Sequence, residues 1–183
     1  HGFGVMKNNK SLLTLGDGTS NITDYDLSAS NSGQDAIFIN SSDETSADGA
    51  KGNSIGFGAV DGHPNRHASI CAVQTGSDRD QVGLAFHVHT STSQTDAMVE
   101  ACRIDNNGQL LIGKTQAGAE VEGVIFGASF GTFTRNSGIP MFINRQSDDG
   151  TLIEFRQANA TEGSISVSGS AVSLVGGHLS RWS

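Results

Sequence analysis

Short runs of alternating apolar and polar residues recur along the whole chain, and most of them end near glycine, asparagine or aspartate. Alternation places every second side chain on one face of a β-strand, and no long window shows apolar residues at helical spacing. The 24 glycines and 2 prolines fit frequent tight turns. We therefore predict an all-β fold of short antiparallel strands and hairpins. The predicted strands cover residues 11–15, 36–40, 54–59, 68–73, 82–89, 98–104, 110–112, 123–128, 141–144, 152–155 and 164–168.

The clearest hairpin signal lies in residues 101–113, where Asn107 and Gly108 separate two apolar runs. Both residue types tolerate the positive φ angles that a type I′ turn needs at its two central positions. We therefore predict two paired strands joined by a type I′ turn.

Apolar side chains are too few for an ordinary compact monomer. Hydrophobic residues are 36% of the 183 residues and aromatic residues 6%. Such strands cannot cover both faces of a sheet within one chain, so we expect copies to wrap together, close their edges and share an axial core. The candidates for this core are Leu12, Leu15, Ile37, Phe38, Ile39, Ile55, Phe57, Leu84, Phe86, Phe126, Phe142, Ile153 and Phe155.

A shift of composition in residues 115–123 is the best candidate for a boundary within the chain. We expect a β-rich recognition region in residues 1–116 and a terminal β-stem in residues 117–183. The chain begins with His1 rather than methionine, which we interpret as a fragment of a longer protein.

The charge balance argues against nucleic acid as a partner. The net charge is −8 with 11 basic residues, and no window gathers them into a phosphate-binding surface. No apolar run approaches the roughly 18 residues that span a bilayer, so no membrane insertion is expected. Cys71 and Cys102 lie in strand-like contexts and are interpreted as buried reduced thiols, while a disulfide between them stays open.

Three segments share a recognisable pattern. Residues 98–115 contain Arg-Ile-Asp-x-x-Gly-x-x-x-Ile-Gly beginning at Arg103, residues 131–157 form a second segment, and the serine- and glycine-rich residues 163–183 form a third. Together they cover most of residues 54–183. This set resembles the C-terminal region of bacteriophage tail fibres and tailspikes that precedes a self-cleaving intramolecular chaperone of the endosialidase type. Ala101 and Cys102 depart from the family's usual pair before Arg103.

The resemblance implies an elongated, intertwined homotrimeric β-fibre. In that family the C-terminal chaperone directs trimerisation and then cuts itself off, which implies Ser183 as the last residue retained. The residues that perform the cut would lie mainly in the removed domain, so the chain itself is not expected to be an enzyme. It would be assembled in the host cytoplasm and belong to the virion tail.

The implied function is attachment of the virion to host polysaccharide or lipopolysaccharide. The alternative is a stalk or sugar-binding module of a polysaccharide-cleaving tailspike whose catalytic domain lies upstream. Polar loops held by a rigid scaffold commonly carry recognition residues. The receptor-binding candidates, from loops at residues 43–48 and 61–67, are Asp43, Glu44, His63, Asn65, Arg66 and His67.

One metal-binding pattern and two catalytic patterns also occur. His87 and His89 lie on one face of a strand, so three chains could offer six nitrogens to an axial metal ion; otherwise no cofactor is expected. The more apolar face, with Leu84 and Phe86, is expected to point inward and leave both histidines outward. Ser129 sits in a Gly-x-Ser-x-Gly pattern without the helix that a nucleophile elbow requires. The paired carboxylates of turn-like segments are interpreted as solvated, namely Asp24 with Asp26, Glu120 with Glu122, and Asp148 with Asp149.

Overall fold

The computed structural model describes residues 12–15, 37–40, 46–59 and 65–176, and every helix or strand in these ranges is a β-strand. All strand pairs are antiparallel, which confirms the predicted all-β class. No helix in these ranges could cross a membrane. The strands are β1 (Leu12–Leu15), β2 (Ile37–Asn40), β3 (Lys51–Gly58), β4 (Arg66–Gln74), β5 (Val82–Val88), β6 (Val99–Ile104), β7 (Leu110–Ile112), β8 (Gly123–Phe126), β9 (Gly131–Thr134), β10 (Gly150–Gln157), β11 (Ala160–Ser168) and β12 (Ala171–Gly176).

The chain divides into two compact units, His1–Asn136 and Ser137–Ser183. The first unit contains the two-stranded sheet β1–β2 and a seven-stranded sheet, β3 to β9, in which each strand pairs with its neighbours in sequence. The second contains the three-stranded sheet β10–β12. Strands β7 and β8 pair directly, so the larger sheet runs across the boundary expected after residue 116.

The predicted strand at residues 141–144 is wrong, because this segment is irregular chain between β9 and β10. Its Phe142 side chain is 77% exposed. Strands β9 and β12 were not predicted. The first carries Phe133 as its only large apolar side chain, and the second is only six residues long and follows the serine-rich β11 after a two-residue connection.

Residues 105–109 connect β6 to β7. The Asp105 amide donates to the Gln109 carbonyl at 3.0 Å, so the turn between these two residues contains three residues, 106–108, rather than the predicted two. The Gly108 amide donates to the Asp105 carbonyl at 3.0 Å, and within this loop only Gly108 has a positive φ, +73°. This is a type I turn followed by a left-handed glycine, so the predicted type I′ turn is wrong. Asp105 favours the longer loop because its Oδ1 accepts hydrogen bonds from the amides of Asn107 and Gln109 at 2.9 and 2.8 Å.

The second unit contains the turns that the sequence did not reveal. Ala158 and Asn159, with φ angles of 48° and 67°, form the two-residue loop between β10 and β11, as in a type I′ turn. Alanine rarely adopts this conformation, so it gives no turn signal. Gly169 begins the next loop with φ +55°, and its amide donates to the Asp149 carboxylate at 2.9 Å.

The two faces of the seven-stranded sheet differ in chemistry. Cross-strand register aligns one continuous row of side chains on each face. On what we call the apolar face, the row consists of Ile55, Ile70, Phe86, Cys102, Ile112, Val124 and Phe133. On the opposite side, called the Arg103 face, it consists of Ser54, Cys71, Ala85, Arg103, Leu111, Ile125 and Thr132.

Burial within the single chain occurs on the Arg103 face. Cys71, Ala85, Leu111 and Ile125 are at most 4% exposed there, and so is the guanidinium-bearing Arg103. The loop between β7 and β8 contributes to this cover, because its residue Thr115 accepts a hydrogen bond from Arg103 Nη1 at 3.2 Å. These small apolar groups and one paired cation make a modest core for a domain of this size.

The apolar face, in contrast, is open to solvent in the single chain. Ile55, Leu84 and Phe126 are 51%, 47% and 46% exposed. Of the expected core residues, Phe86 and Ile153 are half-buried, and Leu12, Leu15, Ile37 and Phe38 lie outside the described side chains. The exposed ones are Ile39, Ile55, Phe57, Leu84, Phe126, Phe142 and Phe155.

The small sheet of the second unit is also amphipathic. Ile153, Ile165 and Leu174 lie in register on one face, while Ser166 and Ser173 lie in register on the other. Leu174 is 72% exposed. Both units therefore present an apolar sheet face that no described part of the same unit covers.

Candidate functional site

A β-bulge in β6 places an acid and a base on the Arg103 face. Cys102 pairs with Phe86 and Glu100 pairs with His87, which leaves Ala101 as an extra residue. Residues three apart point to opposite faces of a regular strand, and one extra residue reverses that relation. Glu100 and Arg103 therefore share one face.

Glu100 and Arg103 form a bidentate ion pair. Arg103 Nε and Nη2 donate to Glu100 Oε1 and Oε2 at 2.5 and 2.8 Å, with side chains 4% and 12% exposed. The hydrogen bonds to Glu100 raise the pKa of Arg103 further above its usual value, although burial opposes this. Two charges that satisfy each other in this way form a rigid base for the side chains beside them.

His87 and Cys71 lie beside this pair in neighbouring strands. The Cys71 Sγ is 3.8 Å from His87 Nδ1, and His87 Nε2 is 3.9 Å from Glu100 Oε2. Burial lowers the pKa of His87 below 6.5, and Lys51 and Arg66 add to the decrease while Glu100 opposes it. Burial also raises the pKa of the Cys71 thiol. At neutral pH the pair is therefore an uncharged imidazole beside a protonated thiol.

A pocket of about 350 Å³ opens over these two residues. Its floor includes Ser69, Cys71 and His87, and its rim carries Lys51 and Arg66. Ser69 is 5% exposed and His87 7%, whereas both cationic side chains are exposed. The pocket thus combines buried neutral hydrogen-bonding groups with two exposed positive charges, which makes it a candidate binding site.

The recognition loop expected at residues 61–67 contributes side chains to the pocket and to a second cavity. Arg66 lines the pocket above, whereas the His67 ring stacks on His89 with centroids 4.5 Å apart. Asn65 Nδ2 donates to the Gln94 carbonyl at 3.1 Å and so ties the start of β4 to the loop after β5. A second cavity of about 490 Å³ is lined by His67, His89 and residues of that loop. Asp43, Glu44, His63 and Ser183 lie outside the described residues.

The two histidines of the metal hypothesis have different surroundings. His87 contacts Cys71 and Glu100, whereas His89 stacks on His67. Within the described ranges no three His, Cys, Asp or Glu side chains are placed to hold one metal ion. The two cysteines are free thiols on opposite faces of the sheet.

The other candidate residues have local structural contacts. Ser129 lies in the loop that leads to strand β9, so the helix of a nucleophile elbow does not follow it. Asp148 accepts hydrogen bonds from Arg145, which lower its pKa, and Asp149 holds the Gly169 loop. Glu122 accepts from the Asn136 amide at 2.7 Å. Glu120 is exposed, and Asp24 and Asp26 lie outside the described residues.

Comparison of the chain with protein-family models, curated proteins and solved structures finds no match.

Proposed function

We propose that the chain is a homotrimeric segment of a bacteriophage tail fibre that attaches the virion to a host-surface glycan. The pattern that begins at Arg103 and the serine- and glycine-rich end suggested this family. Under the proposal, a C-terminal chaperone of that family assists trimerisation. The mature segment then works in the virion tail.

The observation that carries the proposal is the open apolar face. Seven strands contribute to one apolar row, and side chains such as Ile55 and Leu84 are about half exposed in the single chain. In folded domains the apolar face of a sheet is normally buried against another layer. Exposed apolar areas of this kind mark interaction surfaces.

The second unit supports the same proposal independently. Its sheet has one serine-rich face and one apolar face, on which Val172 and Leu174 are 70% and 72% exposed. A three-stranded sheet needs packing on its apolar face to be stable. Packing against the same sheet of other copies would cover this face.

Native mass tests the trimer, and a charge placed on the apolar face tests which surface forms it. We expect light scattering to give three times the 19.0 kDa chain mass. On an SDS gel, the unboiled sample should run as a trimer. Leu84→Asp would bury three unpaired carboxylates and convert the trimer to monomer. Ser77→Asp adds the same charge at an exposed turn and should leave the trimer intact. A wild-type monomer, or a trimeric Leu84→Asp variant, would contradict this assembly.

Attachment is tested on an array of bacterial O-antigens and capsular polysaccharides. We expect the trimer to retain at least one glycan without shortening it. Shortening of a glycan by the isolated chain would show that it carries catalysis itself. Failure to retain any glycan would contradict the attachment function.

A further inference from the structure

The pocket on the Arg103 face has features that a merely structural cluster does not need. Its two cationic side chains come from different strands, since Lys51 begins β3 and Arg66 begins β4. Neither forms an ion pair among the described contacts, whereas the nearby Arg103 is paired with Glu100. The positive charge of the pocket is therefore not neutralised by its own rim.

Local backbone structure directs Arg66 across β3. His67 is the extra residue of a bulge, because Phe57 pairs with Ala68 and Gly58 with Arg66. Arg66 Nη1 then donates to the Ser54 hydroxyl at 3.2 Å. Its side chain passes over Gly56, where an added Cβ would lie 2.6 Å from Arg66 Cδ. Glycine at this position leaves the space that the arginine occupies.

The floor of the pocket supplies neutral hydrogen-bonding groups. The pKa of His87 is lowered, so its imidazole is uncharged at neutral pH. Ser54 and Ser69 add hydroxyl groups, and both lie on the same face as His87. Two cations beside hydroxyls and an imidazole match a ligand that carries one acid group and several hydroxyl groups.

The geometry points to a binding site for an acidic sugar residue, held by its carboxylate or phosphate group between Lys51 and Arg66. The volume of about 350 Å³ lies at the small end of ligand pockets and suits a single sugar residue. This inference rests on the proposed glycan attachment and names its ligand class. The pocket lies on the face opposite the apolar face, so trimer contacts through the apolar face would leave it open.

The two cations of the pocket, Lys51 and Arg66, stand out against the overall charge of −8. A chain with this charge repels polyanions in general, so binding of an acid group has to come from the local fields of Lys51 and Arg66. Neutral glycans would lack the charge-assisted hydrogen bonds that such a site offers.

Calorimetric titration of the intact chain tests the site with three probes: trigalacturonate, mannose 6-phosphate and maltotriose. A hydrogen bond to a charged group contributes about 1.5–3 kcal/mol, so we expect Arg66→Gln to weaken acidic-probe binding roughly 10- to 150-fold. Gly56→Ala keeps the charge but displaces the guanidinium and should weaken binding as well. Arg79→Gln removes an exposed arginine outside the pocket and should have no effect.

Each outcome decides a separate point. Binding of trigalacturonate alone identifies a carboxylate ligand, and binding of mannose 6-phosphate alone identifies a phosphate ligand. Equal binding of maltotriose, no binding of either acidic probe, or binding that survives Arg66→Gln would overturn the site. Light scattering on the same samples separates the two proposals, because a trimer that ignores both acids disproves only the pocket, whereas a monomer disproves the fibre assembly.

Discussion

Replacing Arg103 with methionine removes the guanidinium from the most buried ion pair of the described chain while keeping an unbranched apolar stem. The substitution breaks both hydrogen bonds to Glu100 and the bond to the Thr115 carbonyl. Glu100, whose side chain is 12% exposed, is then left without its bidentate partner. Its nearest remaining basic group is His87, 3.9 Å away and uncharged at neutral pH.

Removing one partner of a buried ion pair costs about 3–5 kcal/mol, because the other charge stays desolvated. The free energy of unfolding of an ordinary domain is about 5–15 kcal/mol, so the variant would lose a large part of its stability. Urea unfolding followed by circular dichroism at pH 7.5 and one fixed protein concentration measures this loss. We expect a lower midpoint with an unchanged slope.

The double variant Glu100→Leu with Arg103→Met separates the stranded charge from lost packing. Apolar replacement of both partners is often neutral or stabilising relative to the intact pair, so we expect the double variant to recover at least about 1 kcal/mol over Arg103→Met alone. The reasoning would be refuted by an Arg103→Met variant within about 0.5 kcal/mol of wild type, the ordinary range of surface substitutions. A double variant without any recovery would refute it equally.

Three further outcomes follow from other parts of the sheet. Because folding lowers the pKa of His87, the imidazole takes up a proton at a higher pH in the unfolded chain than in the folded chain. The free energy of unfolding is therefore unaffected by His87 above pH 6.5 and falls as the pH decreases below 6.5. Urea midpoints measured across this range should depend less on pH in His87→Gln. Gly83→Ala would place a Cβ 2.1 Å from a backbone carbonyl of β6 and should lower the free energy of unfolding by more than about 2 kcal/mol. At Gly108 an added Cβ meets no atom within 4 Å, so Gly108→Ala should lower it by only about 1 kcal/mol, the cost of the left-handed conformation. Equal losses in the two variants would contradict this difference. In thiol labelling, Cys71 should react only on unfolding, and Cys102 should become reactive when the trimer dissociates; a fast-reacting Cys71 would contradict its burial.

The sequence predicted the strands better than their connections. Alternating polarity located most strands of both units, because it depends only on one buried and one exposed face. Asn107 and Gly108 correctly marked a turn, but the Asp105 carboxylate added a residue to it through contacts that a dipeptide signal does not include. Ala158, in a left-handed turn, gave no signal at all.

The candidate site was harder to predict because bulges build it. Counting residues in steps of two correctly placed His87 on the face opposite Leu84, yet within one chain the histidine face is the buried one. The same counting puts Glu100 and Arg103 on opposite faces, and the bulge at Ala101 reverses this. The only available signal was glycine inside β3, such as Gly56, which commonly marks a bulge or a close approach.

The connectivity of the seven-stranded sheet also determines the order in which the protein can fold. Every strand from β3 to β9 pairs with the strand next to it in sequence, so the sheet has a low contact order. Hairpins of this kind close within about 1–10 μs, and none of them waits for a distant segment or a second chain. Refolding should therefore begin with a fast phase whose rate is independent of concentration and that buries the Arg103 face. Covering the apolar face by other copies would follow as a slower phase, whose rate increases with protein concentration.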